Sequence, residues 1–203
     1  MEDHSECMLV FNGATPEGKK ELIGFQVGVR ESAQSWLELL IDIRRRGLQA
    51  APELAVGDGV LGFWKAMDEV FPGTRRQRCW HKTVNVLNNK VSSSVQSGMK
   101  KALQDISMAP SRDAAELALE TFAEKYGAKY ARAVDCLVKD REDLLAFYDF
   151  PAEHWVHLRT NPIESVFATV RHRTVRTKGS LSPQTVRLMV FKLIDAASKP
   201  GVD

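Results

Sequence analysis

Apolar and polar positions alternate over residues 6–11, placing Cys7, Leu9 and Phe11 on one face of a strand and Met8 and Val10 on the other. Turn formers then crowd together in Asn12-Gly13-Ala14-Thr15-Pro16-Glu17-Gly18. Alternation resumes over 22–29, with Ile23, Phe25, Val27 and Val29 on a shared face, so the opening segment predicts a hairpin with a longer loop. The period then lengthens. Beyond Ser32, a predicted N-cap, Trp36, Leu39, Leu40 and Ile43 follow helical spacing, and Arg44-Arg45-Arg46-Gly47 closes the helix with cations and a glycine. A short buried strand is expected over 54–56, a tight turn at Gly57-Asp58-Gly59, and a helix over 61–70 stopped by Phe71-Pro72-Gly73. A more polar strand is expected over 74–80.

From 82 to about 147 the pattern is helical throughout. Ser111 reads as an N-cap; Ala115, Leu117, Ala118, Leu119, Phe122 and Ala123 supply an apolar face that Tyr126, Tyr130, Val134, Leu137 and Val138 continue. Asp149-Phe150-Pro151 ends the run. Asn161 then fits an N-cap, Pro162 the first helical position and Glu164 the third, where a carboxylate meets unpaired backbone N–H groups. A basic loop over 173–180 leads to a last helix over 183–197. The order predicts an α/β protein: a mixed sheet flanked by helices, with an all-helical insert before the closing helix. Its parts are 1–81, the insert 82–157, and 158–203.

Charge changes this picture. Residues 75–101 hold seven Lys or Arg and no acid, and 154–194 hold seven with Glu164 as the single acid. The net charge is only +2, so the remainder is acidic. Segregated cationic segments point to a polyanionic partner. No apolar run approaches the roughly 18–20 residues of a membrane span, and residues 1–4 do not open an export signal. Cys7, Cys79 and Cys136, odd in number and widely spaced, read as reduced thiols of a cytoplasmic protein.

Asp58 follows a buried strand and lies between two glycines, a place where a metal or phosphate reaches backbone closely; a plain turn uses the same residues. Glu164, alone among cations, suits metal-assisted phosphodiester chemistry as well as helix capping. Cys79 and His81 reach one metal only in extended backbone and lack a second pair, so zinc is not expected and they read as supporting residues. Arg171, His172, Arg173, Arg176 and Lys178 suit contacts to DNA phosphates.

The stretches Ala14-Thr15-Pro16-Glu17-Gly18-Lys19-Lys20-Glu21-Leu22, Gly28-Val29-Arg30-Glu31-Ser32, Val56-Gly57-Asp58-Gly59, Phe71-Pro72-Gly73-Thr74, Arg78-Cys79-Trp80-His81-Lys82 and Asn161-Pro162-Ile163-Glu164-Ser165 together resemble the bacterial Mutator-like insertion-sequence transposases. The resemblance implies a ribonuclease H-like core with a helical insert and a DDE triad binding two divalent cations, usually Mg²⁺. Carried over by position, Asp58 matches the second aspartate and Glu164 the final glutamate, with Asn161 beside it. The first aspartate is expected on a strand ahead of residue 1. One residue separates Cys79 from His81 where the family usually has two, and Thr160-Asn161 is one residue shorter than its pattern. These departures make a truncated copy the expectation. The implied roles are a transposase catalytic-core fragment or a catalytically inactive remnant that binds DNA or an intact transposase; a ribonuclease H-type nuclease is a third reading. Transposon-end and target DNA are the implied partners, with a homodimer or higher assembly on the nucleoid and no membrane.

Overall fold

The computed structural model describes residues 7–15, 17, 20–28, 31–160, 185, 188, 189, 191 and 192. In chain order they form β1 (Cys7–Ala14), β2 (Lys20–Gly28), α1 (Ala33–Arg45), β3 (Leu54–Gly57), α2 (Leu61–Val70), β4 (Arg75–Arg78), α3 (Trp80–Asn88), α4 (Ser93–Ser107), α5 (Arg112–Lys139), α6 (Arg141–Leu145) and α7 (Trp155–Leu158). Short 3₁₀ turns occupy Ala146–Asp149 and Ala152–His154. The protein is mixed α/β and rich in helix, and the strands among the described residues form two pairs. Two compact units emerge: Met1–Ala51 with Leu61–Pro72 and Pro162–Asp203, and Pro52–Val60 with Gly73–Asn161.

In the first unit β1 and β2 form the expected antiparallel hairpin, with Val10 opposite Phe25. Phe11 pairs with Gly24 and Asn12 with Leu22, so Ile23 is the extra residue of a bulge. Leu9, Val10 and Phe11 are all buried. Simple in–out alternation therefore fails, because both faces of the hairpin are covered. On one side α1 lies so close that a β-carbon on Gly24 would sit 2.9 Å from Ile43 Cδ1. On the other, the ring of Phe25 is 6.1 Å from that of Phe191.

Helix α1 forms as its sequence predicts. The Ser32 hydroxyl accepts from Ser35 N–H at 3.1 Å, and Trp36, Leu39, Leu40 and Ile43 are buried. Each such side chain contributes about 1.5–3 kcal/mol on burial. Helix α2 packs against α1 through Trp36 and Phe63, whose rings meet edge-on at 4.9 Å. Arg44 donates to the Val70 carbonyl at 3.3 Å, satisfying one of the acceptors left open at the end of α2.

In the second unit β3 and β4 pair in parallel, from Leu54 opposite Arg75 to Gly57 opposite Arg78. The strand expected over 74–80 is shorter, and α3 begins at Trp80. From Trp80 to Leu158 the described residues contain no strand. Leu87, Met99, Leu103, Ile106, Phe122, Leu137, Leu144 and Phe147 fill this unit's core. Ser111 caps α5 by accepting from Ala114 N–H at 3.2 Å. Leu117 was expected on the buried face but is 65% exposed. Ala115, Leu119 and Phe122 define that face, and Leu117 lies about 200° around the helix from Ala115. Val138 is exposed for a similar reason, next to buried Leu137. At Tyr130 the backbone leaves helical geometry (φ −128°, ψ 43°), kinking α5. No helix among the described residues is long and apolar enough to cross a membrane.

Candidate functional site

The carboxyl end of β3 presents Asp58. Ala55 and Gly57 are buried, whereas Asp58 emerges exposed. Its Oδ1 accepts from Val60 N–H at 3.3 Å, and Gly59 takes φ +93°, a conformation glycine adopts without strain. The turn thus holds the carboxylate against its own backbone. Among the described residues Asp58 enters no ion pair.

Two consecutive amides tie this strand end to a distant part of the chain. Cys79 N–H donates to the Gly57 carbonyl at 2.8 Å, extending the β3–β4 ladder by one bond. Trp80 N–H then donates to the Arg159 carbonyl at 2.9 Å. The Trp80 indole N–H reaches the Leu144 carbonyl at 2.9 Å, and the Arg159 guanidinium reaches that of Ser107 at 2.8 Å. Cys79 is buried, and His81 is exposed in the first turn of α3. Helix from Trp80 onward removes the extended backbone that a shared Cys79–His81 metal site needs. Neither Cys79 nor Cys136 is in a disulfide.

The first basic segment does not present its arginines as a free cationic face. Arg75 is paired with Asp149, and Arg78 with Asp140. Arg112 adds Glu116, Glu142 and Asp149 at 3.2, 2.6 and 3.3 Å. The Arg75 guanidinium, with Arg112 beyond it, holds the Asp149 carboxyl below its ordinary range. Burial pushes the Asp143 carboxyl up, against the pull of Arg76 and Arg78. Acids of 140–149 thus absorb charge that the sequence alone leaves open to a polyanion.

Gln77 was not singled out by sequence, yet it is the fully buried polar residue joining β4 to the helices. Its amide N–H groups donate to the carbonyls of Arg78 (2.8 Å) and Leu144 (3.0 Å), and its Oε1 accepts from Phe147 N–H at 2.8 Å. The available signal was its neutrality within Arg75-Arg76-Gln77-Arg78. Asp140, which holds Arg78, and Arg159, which meets Trp80, left no comparable trace in the pattern.

Asn161, Glu164, Arg171, His172, Arg173, Arg176 and Lys178 lie outside the described residues. Among the described residues no three His, Cys, Asp or Glu side chains gather as a metal site. Asp58 fits a cation as one ligand: an exposed carboxylate between two glycines, whose Oδ1 among the described residues is engaged only by a local amide.

The family model described as "Transposase, Mutator family" matches residues 2–196. The chain is 56% identical over 200 residues to the transposase for insertion sequence element IST2 of Acidithiobacillus ferrooxidans, covering 98% of this chain and 67% of that protein. It is 52% identical over 194 residues to the transposase for IS6120 of Mycolicibacterium smegmatis, covering 95% and 59%. The transposase for IS905 of Lactococcus lactis is 30% identical over 170 residues, covering 83% and 43%. The chain therefore spans about two-fifths to two-thirds of the length of these relatives. With a family match over nearly its whole length and relatives above half identity, this chain belongs to the Mutator family of transposases.

Proposed function

We propose that the chain is catalytic core of an insertion-sequence transposase, with a ribonuclease H-like fold and a helical insert running from about residue 82 to 157. Asp58 and Glu164 are the two carboxylates of this segment that hold Mg²⁺. Bound there, Mg²⁺ supplies activation of the attacking oxygen and charge neutralisation at the leaving oxygen of a phosphodiester. The exposed Asp58 turn offers the cation an anionic oxygen without stripping it from a structural ion pair. Arg171, His172, Arg173, Arg176 and Lys178 hold DNA phosphates beside Glu164, and Cys79, His81 and Asn161 support the site. The nucleophile is an oxygen of water or of a DNA 3′ end, so no side chain needs to form a covalent intermediate. Transposon ends and target DNA are the partners, in a dimer or higher assembly in the bacterial cytoplasm.

One observation carries this reading. The Arg159 carbonyl is bonded to the amide directly following the one bonded to Gly57. Arg159, five positions ahead of Glu164 in sequence, thus lies beside the strand end that carries Asp58, and this supports the reading. The test is cleavage of DNA carrying the element's ends, by this chain and by the chain joined to the N-terminal segment of its 56%-identical relative. Mg²⁺-dependent cutting that Asp58→Asn and Glu164→Gln each reduce by at least about 10³-fold is expected, a loss of about 4 kcal/mol of transition-state stabilisation. Salt-sensitive DNA binding without cutting in both proteins would replace this reading with that of a non-catalytic DNA-binding remnant.

A further inference from the structure

The Asp58 turn is braced from the side by Arg78. A β-carbon built on Gly59 would lie 2.7 Å from both Cζ and Nε of Arg78, so the guanidinium occupies the space that the missing side chain leaves. Glycine at 59 is required for its φ of +93°, and its missing side chain leaves the room that the guanidinium fills. The far side of the guanidinium pairs with Asp140, at the junction of α5 and α6, and the pair is largely shielded from solvent. The Cys136 thiol lies 4.0 Å from the same Asp140 oxygen. The chain of contact therefore runs from the helical segment, through Asp140 and Arg78, to the residue next to Asp58. Arg78 Nε is buried and has no hydrogen-bond partner among the described residues. An orphaned buried donor is destabilising, so packing alone favours an apolar side chain at this position.

We propose that Arg78 is a positioning residue for Asp58: its guanidinium, clamped by Asp140, fixes the Gly59 turn and so sets where the Asp58 carboxylate meets a divalent cation. The inference rests on the reading of Asp58 as a cation ligand. It makes the helical segment part of the site's alignment, because Asp140 belongs to that segment. Lysine cannot substitute. Its point charge lacks the planar fork that covers Gly59 while pairing with Asp140.

The sign of the effect separates positioning from simple electrostatics. Removing a positive charge beside a cation site strengthens cation binding by Coulomb's law alone. Loss of a positioning contact weakens it, by about 10- to 100-fold where outer contacts orient a metal ligand. The experiment is Mn²⁺ binding to the full chain, followed by electron paramagnetic resonance of the free ion, with far-ultraviolet circular dichroism as the folding control. Arg78→Gln, Arg78→Lys and Asp140→Glu are each expected to weaken Mn²⁺ binding by about tenfold or more with the helical signal retained. Unchanged or tighter binding in Arg78→Lys, which keeps the charge and loses the fork, overturns the inference; if Arg78 substitutions fail to fold, Asp140→Glu, which keeps the negative charge but displaces the clamp, decides the matter, because Asp140→Asn also removes a negative charge and weakens cation binding by Coulomb's law alone. Asp58→Asn is the separate control. If it leaves Mn²⁺ binding unchanged, the assignment of Asp58 as ligand is what fails; if it weakens binding while Arg78→Lys does not, positioning by Arg78 alone is refuted.

Discussion

The carbonyls of Gly57 and Arg159 accept hydrogen bonds from adjacent amides, those of Cys79 and Trp80, at 2.8 and 2.9 Å. Two stretches far apart in sequence are thereby pinned at the carboxyl end of one parallel strand pair. If Glu164 shares a cation with Asp58, Fe²⁺ loaded in place of Mg²⁺ and treated with hydrogen peroxide and ascorbate generates hydroxyl radicals, the Fe²⁺ being oxidised to Fe³⁺ as the peroxide is reduced, and these cut the polypeptide near both residues. Mapping the fragments of the full chain by mass spectrometry is expected to show paired cuts close to 58 and 164, both suppressed by excess Mg²⁺. Cuts near 58 alone mean that the two carboxylates do not share an ion.

Gln77 satisfies backbone groups of α6 and the following turn that no water reaches. Gln77→Leu keeps the volume and removes the bonds to the Leu144 carbonyl and Phe147 N–H. The expected cost is about 2–4 kcal/mol, measured by urea denaturation, because the abandoned groups stay buried. A loss below about 0.5 kcal/mol, the scale of neutral surface changes, would mean the helices re-form those bonds elsewhere.

Leu117 and Leu119 differ by two positions on one helix and should differ sharply in effect. Leu119→Ala is expected to lose about 2–5 kcal/mol, by cavity formation. Leu117→Gln should stay within about 0.5 kcal/mol, since its side chain is already in water. Equal losses in thermal or urea unfolding would show that Leu117 is covered in solution.

Asp149 ties acid stability to its arginines. Its carboxyl is depressed chiefly by the hydrogen bond from Arg75. The folded form therefore binds that proton less readily than the unfolded chain. Its contribution is present above the ordinary carboxylate value of about 4 and fades as pH falls through the lower folded value. The pairs are half exposed, which limits the contribution to about 0.2–1 kcal/mol. Asp143 acts with the opposite sign: burial raises its carboxyl, so lowering the pH through that value relieves a cost. Unfolding free energies from pH 3 to 7 should show Asp149→Asn flattening the acid loss and Asp143→Asn stabilising mainly at neutral pH. The reverse assignment would mean that solvent screening erases the Arg75 contact.

The sequence by itself determined the local elements whose signals are local. The hairpin was legible from alternation, α1 from Ser32 and four apolar positions in helical spacing, and the start of α5 from Ser111, because capping and amphipathic spacing act within a turn or two of chain. The family, too, was legible, from short motifs spread over nearly the whole length. The turn carrying Asp58 was visible in its glycines, and the structure adds what those glycines accommodate. Tertiary structure alone decided the rest. Both faces of β1 are covered because α1 and Phe191 approach from opposite sides, which no residue of β1 specifies. The arginines of β4 became internal ion pairs because 140–149 folds back to meet them, so a basic run in sequence is not a basic surface in space. Gln77, Asp140 and Arg159 gained their roles from partners 52 to 79 positions away. A hydrogen bond or ion pair forms wherever folding brings its two groups together, and pattern within one segment carries no record of the other.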